Sequence, residues 1–156
     1  LRQDTHLLLL FLATLSLSLA VINPSIPITR NIFNYIFIVD ISQSMNTKDM
    51  TVGLEEVSRI DYTKATLRKI LGRLPCESKV SIGMFAGVSV AATYTPSEVC
   101  ENFSAINSTI DNLDWRSTWS GNTRIRESMV NLARLIRSFP ESAQVIYFTD
   151  GEEAPK

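Results

Sequence analysis

Apolar and polar positions along the chain predict strands and helices in alternation. Residues 35–39 form a short, continuous apolar run rich in β-branched side chains, which is typical of a strand buried on both faces. Residues 144–149 repeat this pattern later in the sequence. Between them, strand-like runs at 79–85 and 88–94 flank a short Ala-Gly step, and this arrangement predicts a hairpin.

Three other segments carry apolar residues at helical spacing. Residues 58–74 are predicted to form a helix that begins at a capping box of Ser58 and Asp61 and ends near Gly72. Ser97 is predicted to cap a second helix, and a third follows a polar loop. The predicted core-facing residues of these last two helices are Val99, Phe103, Ile106, Ile110 and Leu113, and Ile125, Met129, Leu132, Ile136 and Phe139.

Strands that alternate with helices predict an α/β fold with a mainly parallel central sheet and one antiparallel edge hairpin. In such sheets, ligands bind beyond the carboxyl ends of the strands. Asp40 and Asp150 each follow a predicted strand directly, so both are expected at this edge of the sheet.

The N-terminal region departs from this pattern, because residues 7–22 contain no charged side chain. This run is slightly shorter than the roughly 20 residues that cross a bilayer, and longer than most signal-peptide cores. An uncleaved membrane anchor is favoured because the residues that follow make a poor cleavage site, with a signal peptide or a buried helix as alternatives. We therefore expect an anchor and linker in residues 1–30 and a folded domain in residues 31–156.

Composition and motifs exclude several function classes. A net charge of −1 and the lack of a basic block argue against nucleic-acid binding. The one histidine, His6, lies beside the apolar segment, so a Ser-His-Asp triad cannot form within the domain. No G-x-S-x-G or phosphate-binding glycine loop is present. A metal-dependent hydrolase would lack an obvious general base, so we expect a binding module rather than an enzyme.

The two cysteines, Cys76 and Cys100, flank the predicted hairpin at nearly equal distances from its turn. Both should therefore emerge at the same end of the sheet, where a disulfide is geometrically feasible. Such a bond would be structural, would lie opposite the two aspartates and would indicate an oxidising compartment such as the bacterial periplasm. Two unpaired buried thiols are the alternative.

Asp40, Ser42 and Ser44, a distant Thr123 in a glycine-containing loop, and Asp150 together form a set of oxygen ligands. Hard cations prefer such ligands, so we expect Mg²⁺, with Ca²⁺ and Mn²⁺ as alternatives. Few carboxylates and several neutral hydroxyls would leave the ion electron-poor and able to accept a carboxylate from another molecule. Taken singly, each motif is also typical of a turn or a helix cap.

Residues 35 to about 153 resemble a von Willebrand factor A domain with a metal-ion-dependent adhesion site, through "DISQS", "SGNT" and "FTDGEE". The resemblance implies a Rossmann-like three-layer sandwich whose sheet continues past Asp150, so we expect the chain to be a C-terminally truncated fragment. It implies that Asp150 binds the ion directly or through water. Ser120 is an alternative to Thr123, because the loop has one glycine where the family often has two. The metal ligands implied are Asp40, Ser42, Ser44, Thr123 and Asp150.

Within this family the chain is similar to bacterial membrane-anchored members associated with MoxR-type ATPases. The segments "DISQSMN", "LPCESKVSIGMFAG", "PSEVC" and "LDWRSTW" resemble MxaL-type proteins, which are encoded among methanol dehydrogenase maturation genes. This resemblance implies an inner-membrane protein with a periplasmic domain. Its implied partners are methanol dehydrogenase, a calcium-dependent quinoprotein, or its assembly proteins, with another client of a MoxR-type system as the alternative.

Two tryptophans and two glutamates near these motifs have less specific interpretations. Trp115 and Trp119 precede Thr123 and either line the rim of a partner site or pack in the core. Glu152 and Glu153 are expected to be solvated loop charges.

Overall fold

The computed structural model describes residues 2–22, 31–117, 123–139 and 141–152. The chain divides into two compact units, Leu1–Arg30 and Asn31–Lys156. The first unit contains helix α1 (Arg2–Ile22). The elements of the second unit are β1 (Asn34–Asp40), β2 (Lys48–Val52), β3 (Glu55–Ser58), α2 (Arg59–Leu71), β4 (Lys79–Ala86), β5 (Ser89–Ala92), β6 (Ser97–Glu98), α3 (Phe103–Asp111), α4 (Ile125–Ile136) and β7 (Gln144–Phe148).

Helix α1 is long and apolar enough to serve as a membrane anchor or a signal sequence. Its side chains from Asp4 to Val21 are exposed within the unit. The hydroxyls of Thr14, Ser16 and Ser18 donate to carbonyl oxygens of the preceding turn at 2.8 to 3.1 Å. Polar groups satisfied within the helix are what a lipid environment requires, so these hydroxyls are compatible with a bilayer.

The sheet of the second unit has the strand order β5-β4-β1-β7, and β6 also pairs with β4. Strand β1 runs parallel to β4 and β7, whereas β4 is antiparallel to β5 and β6. The turn between β4 and β5 contains Gly87 with a φ of 60°, a conformation that glycine adopts without steric cost. The predicted α/β fold, mainly parallel with an antiparallel hairpin, is therefore confirmed.

The central strand β1 is covered on both faces. Residues 36–40 are fully buried, as the continuous apolar run predicts. One face packs in a cluster with Leu67 of α2 and Ile106 of α3, and the other packs with Leu132 of α4. The result is a three-layer arrangement with helices on both sides of the sheet.

A disulfide joins Cys76 and Cys100, whose Cα atoms lie 5.3 Å apart. Cys76 lies just before β4, and Lys79 at the start of β4 pairs with Asn34 at the start of β1. The disulfide is therefore at the opposite end of the sheet from Asp40.

The prediction that a helix begins at Ser97 is wrong. Ser97–Glu98 forms β6, and the Val99 amide continues this contact by donating to the Ser78 carbonyl at 2.9 Å. Pairing with β4 and the adjacent disulfide keep this segment out of the helix, so α3 begins only at Phe103. Phe103 itself is 44% exposed and does not join the core, in contrast to the prediction.

Helix α4 also differs from its predicted pattern. It ends at Ile136, and Phe139 lies in the following turn while still packing against the second core cluster. Met129 is 49% exposed, so its predicted position in the core is wrong. Ser128 is buried instead, and its hydroxyl donates to the Ile125 carbonyl at 2.8 Å, which satisfies the polar group inside the core.

Candidate metal centre

Asp40 and Asp150 lie at the carboxyl ends of neighbouring parallel strands. The register pairs Val39 of β1 with Phe148 of β7, so Asp40 comes next to Thr149. The Thr149 hydroxyl donates to Asp40 Oδ2 at 2.9 Å, and Asp150 follows directly. The parallel register thus brings the two aspartates to one edge of the sheet.

The two serines of "DISQS" turn back toward Asp40 because the chain leaves β1 into a short 3₁₀ helix, Gln43–Asn46. The Ser42 amide donates to Asp40 Oδ1 at 2.8 Å. The hydroxyl oxygens of Ser42 and Ser44 lie 3.0 Å apart. Met45, which follows, is buried and anchors this turn in the core. Two hydroxyls and a carboxylate therefore converge above the end of β1.

Asp40 is a fully buried carboxylate. Burial raises its pKa above the ordinary value, and the nearby charge of Asp150 acts in the same direction, although hydrogen bonds from Ser42 and Thr149 oppose the shift. The hydrogen-bond donors that contact Asp40 in the described part of the chain are the amide and the hydroxyl of Ser42 and the hydroxyl of Thr149, and all are neutral. Asp40 is thus surrounded by dipoles rather than by positive charges.

Asp150 lies between a serine and an arginine. Its side chain is 6% exposed, and its Oδ2 atom accepts from Arg59 Nη1 at 2.8 Å. Burial acts to raise the pKa of Asp150, but hydrogen bonds from the Ser44 side chain, the Glu152 amide and Arg59 outweigh it and hold the pKa below its ordinary value. Asp150 is therefore ionised, and through Ser44 it is connected to the serine pair beside Asp40.

Thr123 reaches the same edge of the sheet by another route. It forms an isolated parallel bridge with Gly87, which directly follows β4, and the Arg124 amide donates to the Gly87 carbonyl at 3.1 Å. Thr123 is only 4% exposed. Because β4 is the neighbour of β1, this bridge places Thr123 at the carboxyl end of the sheet, where Asp40 also lies.

The remaining candidate residues have varied positions. Trp115 begins a short 3₁₀ helix and is half-buried, with the Arg116 guanidinium 5.5 Å from the centre of its ring. Glu152 is exposed, as expected of a loop charge, and its carboxylate lies 3.4 Å from Arg59. Trp119, Ser120 and Glu153 lie outside the described residues.

Sequence reasoning missed Arg59 and the two-stranded ribbon formed by β2 and β3. The ribbon turns at Gly53 with a φ of 67°, and most of its side chains are exposed, so no apolar alternation signals it. It carries Asp49 to within 2.6 Å of Arg59 Nη2. The sequence indicated the position of Arg59 only through the predicted Ser58 cap, which places Arg59 at the first position of α2.

A divalent cation fits the chemistry of this cluster. The donors are carboxylates and hydroxyls, which are the ligands that Mg²⁺ prefers. A fully buried carboxylate with neutral partners is also costly, and a nearby cation would offset that cost. The residues that would hold the ion are Asp40, Ser42, Ser44, Thr123 and Asp150.

Comparisons with known proteins identify the family and the fold. Residues 35–153 match the model of the von Willebrand factor type A domain. An uncharacterized membrane-spanning protein from Vibrio fischeri matches with a TM-score of 0.55 and 17% identity over 68% of this chain and 50% of that one. An aspartate-to-alanine mutant of the PilB minor pilin from Streptococcus sanguinis matches with a TM-score of 0.54 and 20% identity, over 78% of this chain and 30% of the pilin.

The chain thus spans half or less of the length of these two structures, and at such identities the likeness concerns the fold alone. Among curated proteins, no sequence matches the chain significantly.

Proposed function

The chain belongs to the von Willebrand factor type A domain family, whose domains mediate protein–protein interactions, and we propose that this one captures its partner through a bound divalent cation. The observation that carries the proposal is the fully buried Asp40, whose two carboxylate oxygens are bonded to Ser42 and Thr149 beside the Ser42–Ser44 hydroxyl pair. These contacts place a buried carboxyl group where hydroxyl oxygens converge.

The ion, which we expect to be Mg²⁺, would be held by few charged ligands. A cation bound in this way keeps a coordination position for a carboxylate of another molecule. The residues of this chain would hold the ion while leaving most of its positive charge unneutralised, because few of them are charged. The partner's contribution would be an Asp or Glu side chain.

We place this module in the periplasm, held to the bacterial inner membrane by α1. The disulfide between Cys76 and Cys100 supports an oxidising compartment. The motifs shared with MxaL-type proteins favour a role in maturation or metal insertion of a periplasmic quinoprotein such as methanol dehydrogenase. The alternative client is another protein assembled with a MoxR-type ATPase.

A capture experiment with the intact chain tests the proposal. The chain is immobilised and exposed to purified apo-methanol dehydrogenase, and separately to periplasmic extract, with Mg²⁺ or with EDTA. The test variant is Asp40→Asn, which keeps the side-chain shape but removes the charge. The matched control is Asp114→Asn, whose carboxylate pairs with Arg116 outside the candidate metal centre.

We expect capture that requires both Mg²⁺ and Asp40 and is unaffected by the control substitution. Retention of purified methanol dehydrogenase would favour the maturation role, and retention of only another protein would favour the alternative client. Capture that is equal with EDTA and with Asp40→Asn would overturn the metal-dependent mechanism.

A further inference from the structure

The guanidinium of Arg59 contacts three carboxylates at the edge of the candidate metal centre. Its Nη2 atom lies 2.6 Å from Asp49 Oδ2, and its Nε donates to both Asp49 oxygens at 3.0 Å. Its Nη1 atom lies 2.8 Å from Asp150 and 3.4 Å from Glu152. One side chain thus connects the β2–β3 ribbon with the segment that follows β7.

These contacts occupy carboxylates that could otherwise bind a cation. Asp150 is bonded both to Arg59 and to Ser44, and Ser44 lies 3.0 Å from Ser42 through their hydroxyl oxygens. The guanidinium is therefore separated from the serine pair by one carboxylate, that of Asp150. Three carboxylates and one guanidinium leave an excess of two negative charges, which remain on this side of the centre.

The position of Arg59 is set by its backbone as well as its side chain. Its amide donates to the carbonyl of Thr47, which directly precedes β2 and lies two residues before Asp49, at 3.0 Å. The preceding residue, Ser58, caps α2, so Arg59 is the first residue of that helix. A guanidinium presents several donors in a rigid, planar fork, and so it can bridge carboxylates from two segments, whereas an ammonium acts as a point charge.

Building on the proposed function, we infer that Arg59 draws carboxylates away from the bound cation. Because Arg59 pairs with Asp49 and Glu152 and shares Asp150 with the bound ion, the ion remains electron-poor and depends on a carboxylate from the partner. Without the guanidinium, these side chains are freed to neutralise the ion, and the cation binds more tightly while needing its partner less.

The sign of this effect separates the proposal from a purely structural role. If Arg59 only stabilised the fold, its removal would weaken cation binding. If it withholds ligands, its removal strengthens cation binding and reduces the number of water molecules on the ion. Loss of a positive charge that contacts Asp150, a proposed ligand of the ion, is expected to raise the affinity about tenfold or more.

The experiment uses the detergent-solubilised intact chain and Mn²⁺ as the probe. Electron paramagnetic resonance measures free Mn²⁺ and hence its affinity, and water-proton relaxation counts the exchangeable waters on the bound ion. The variants are Arg59→Gln and Arg59→Lys, with Arg68→Gln as the control. Arg68 lies on the same helix and pairs with Asp111, which lies in α3.

We expect Arg59→Gln to bind Mn²⁺ about tenfold more tightly and with fewer waters, Arg59→Lys to lie between this variant and the wild type, and Arg68→Gln to match the wild type. Weaker or unchanged binding by Arg59→Gln, when the wild type binds Mn²⁺, would overturn this inference and leave the proposed function intact. A wild-type chain that fails to bind Mn²⁺ would overturn both.

Discussion

Gly83 lies where β4 approaches its neighbours too closely for a side chain. A Cβ atom there would lie 2.7 Å from Ile38 Cδ1 and 2.8 Å from the Ala91 carbonyl oxygen. The isoleucine terminus can rotate, but the carbonyl belongs to β5, which pairs with β4. We expect Gly83→Ala to lower the free energy of unfolding by about 1–3 kcal/mol, measured by urea denaturation and circular dichroism.

Gly72→Ala is the matched control for this prediction. Gly72 ends α2 with a φ of −67°, and a Cβ atom there would meet only the Arg68 carbonyl oxygen, at 3.5 Å. Alanine fits this conformation, so we expect a neutral effect or a gain of about 0.4–1 kcal/mol. If Gly83→Ala lowers the free energy of unfolding no more than Gly72→Ala does, β4 and β5 move apart easily enough to accommodate the added methyl group.

The candidate centre was predictable from the sequence only where the backbone determines it. Strand ends at Asp40 and Asp150 followed from apolar runs, and parallel strands bring such ends to one edge. The contacts of Arg59 were not predictable, because its partners Asp49 and Asp150 lie 10 and 91 residues away in the sequence. A long side chain can reach many positions, and only the tertiary structure selects among them.

Two serines were predicted to cap helices, and the structure distinguishes them. Ser58 accepts a hydrogen bond from the Asp61 amide at 3.2 Å, as an N-cap does, and also donates to the Asp61 carboxylate at 2.6 Å. Ser97 lies in β6 and donates to the Thr95 carbonyl. Sequence alone could not separate them, because both precede apolar residues at helical spacing.

This difference gives a test at the scale of the elements. Ser58→Ala leaves an amide of α2 without its cap, so we expect the free energy of unfolding to fall by about 1 kcal/mol. Ser97→Ala removes a hydrogen bond outside any helix cap and is expected to change it by less than about 0.5 kcal/mol. Thermal unfolding of the two variants side by side checks this order, and equal losses would indicate that Ser97 caps a helix in solution.

The elements that the sequence did not predict are those determined by contacts with other segments. The β2–β3 ribbon lacks a buried face with period-two alternation, since six of the nine residues in its two strands are exposed. The late start of α3 follows from strand pairing with β4 and from the disulfide. Local propensity cannot report either constraint.

In the second unit as a whole, the disulfide and the candidate metal centre lie at opposite ends of the sheet. The disulfide lies near the start of β4, where Lys79 pairs with Asn34, and the candidate metal centre lies where Phe85 pairs with Asp40. At about 3.3 Å per residue, these ends are roughly 20 Å apart along β1. Perturbations this far apart are usually additive in free energy.

Removal of the disulfide should therefore cost stability without changing cation binding. In a chain with both Cys76→Ser and Cys100→Ser, the free energy of unfolding is expected to fall by about 3 kcal/mol, because the bond closes a loop with a sequence separation of 24. Mg²⁺ at about a hundred times its Kd should still raise the free energy of unfolding of this variant by about 2.7 kcal/mol, as it should for the wild type. Asp40→Asn should show no such gain.

Urea denaturation of the three detergent-solubilised chains, with Mg²⁺ and with EDTA, measures these increments directly. An Mg²⁺ increment that disappears with the disulfide would mean that the amino end of the sheet controls the metal centre, because only coupled sites depart from additivity. An Mg²⁺ increment that persists in the chain without the disulfide and is lost in Asp40→Asn would mean that the carboxyl edge of the sheet binds its cation independently of the disulfide at the other end.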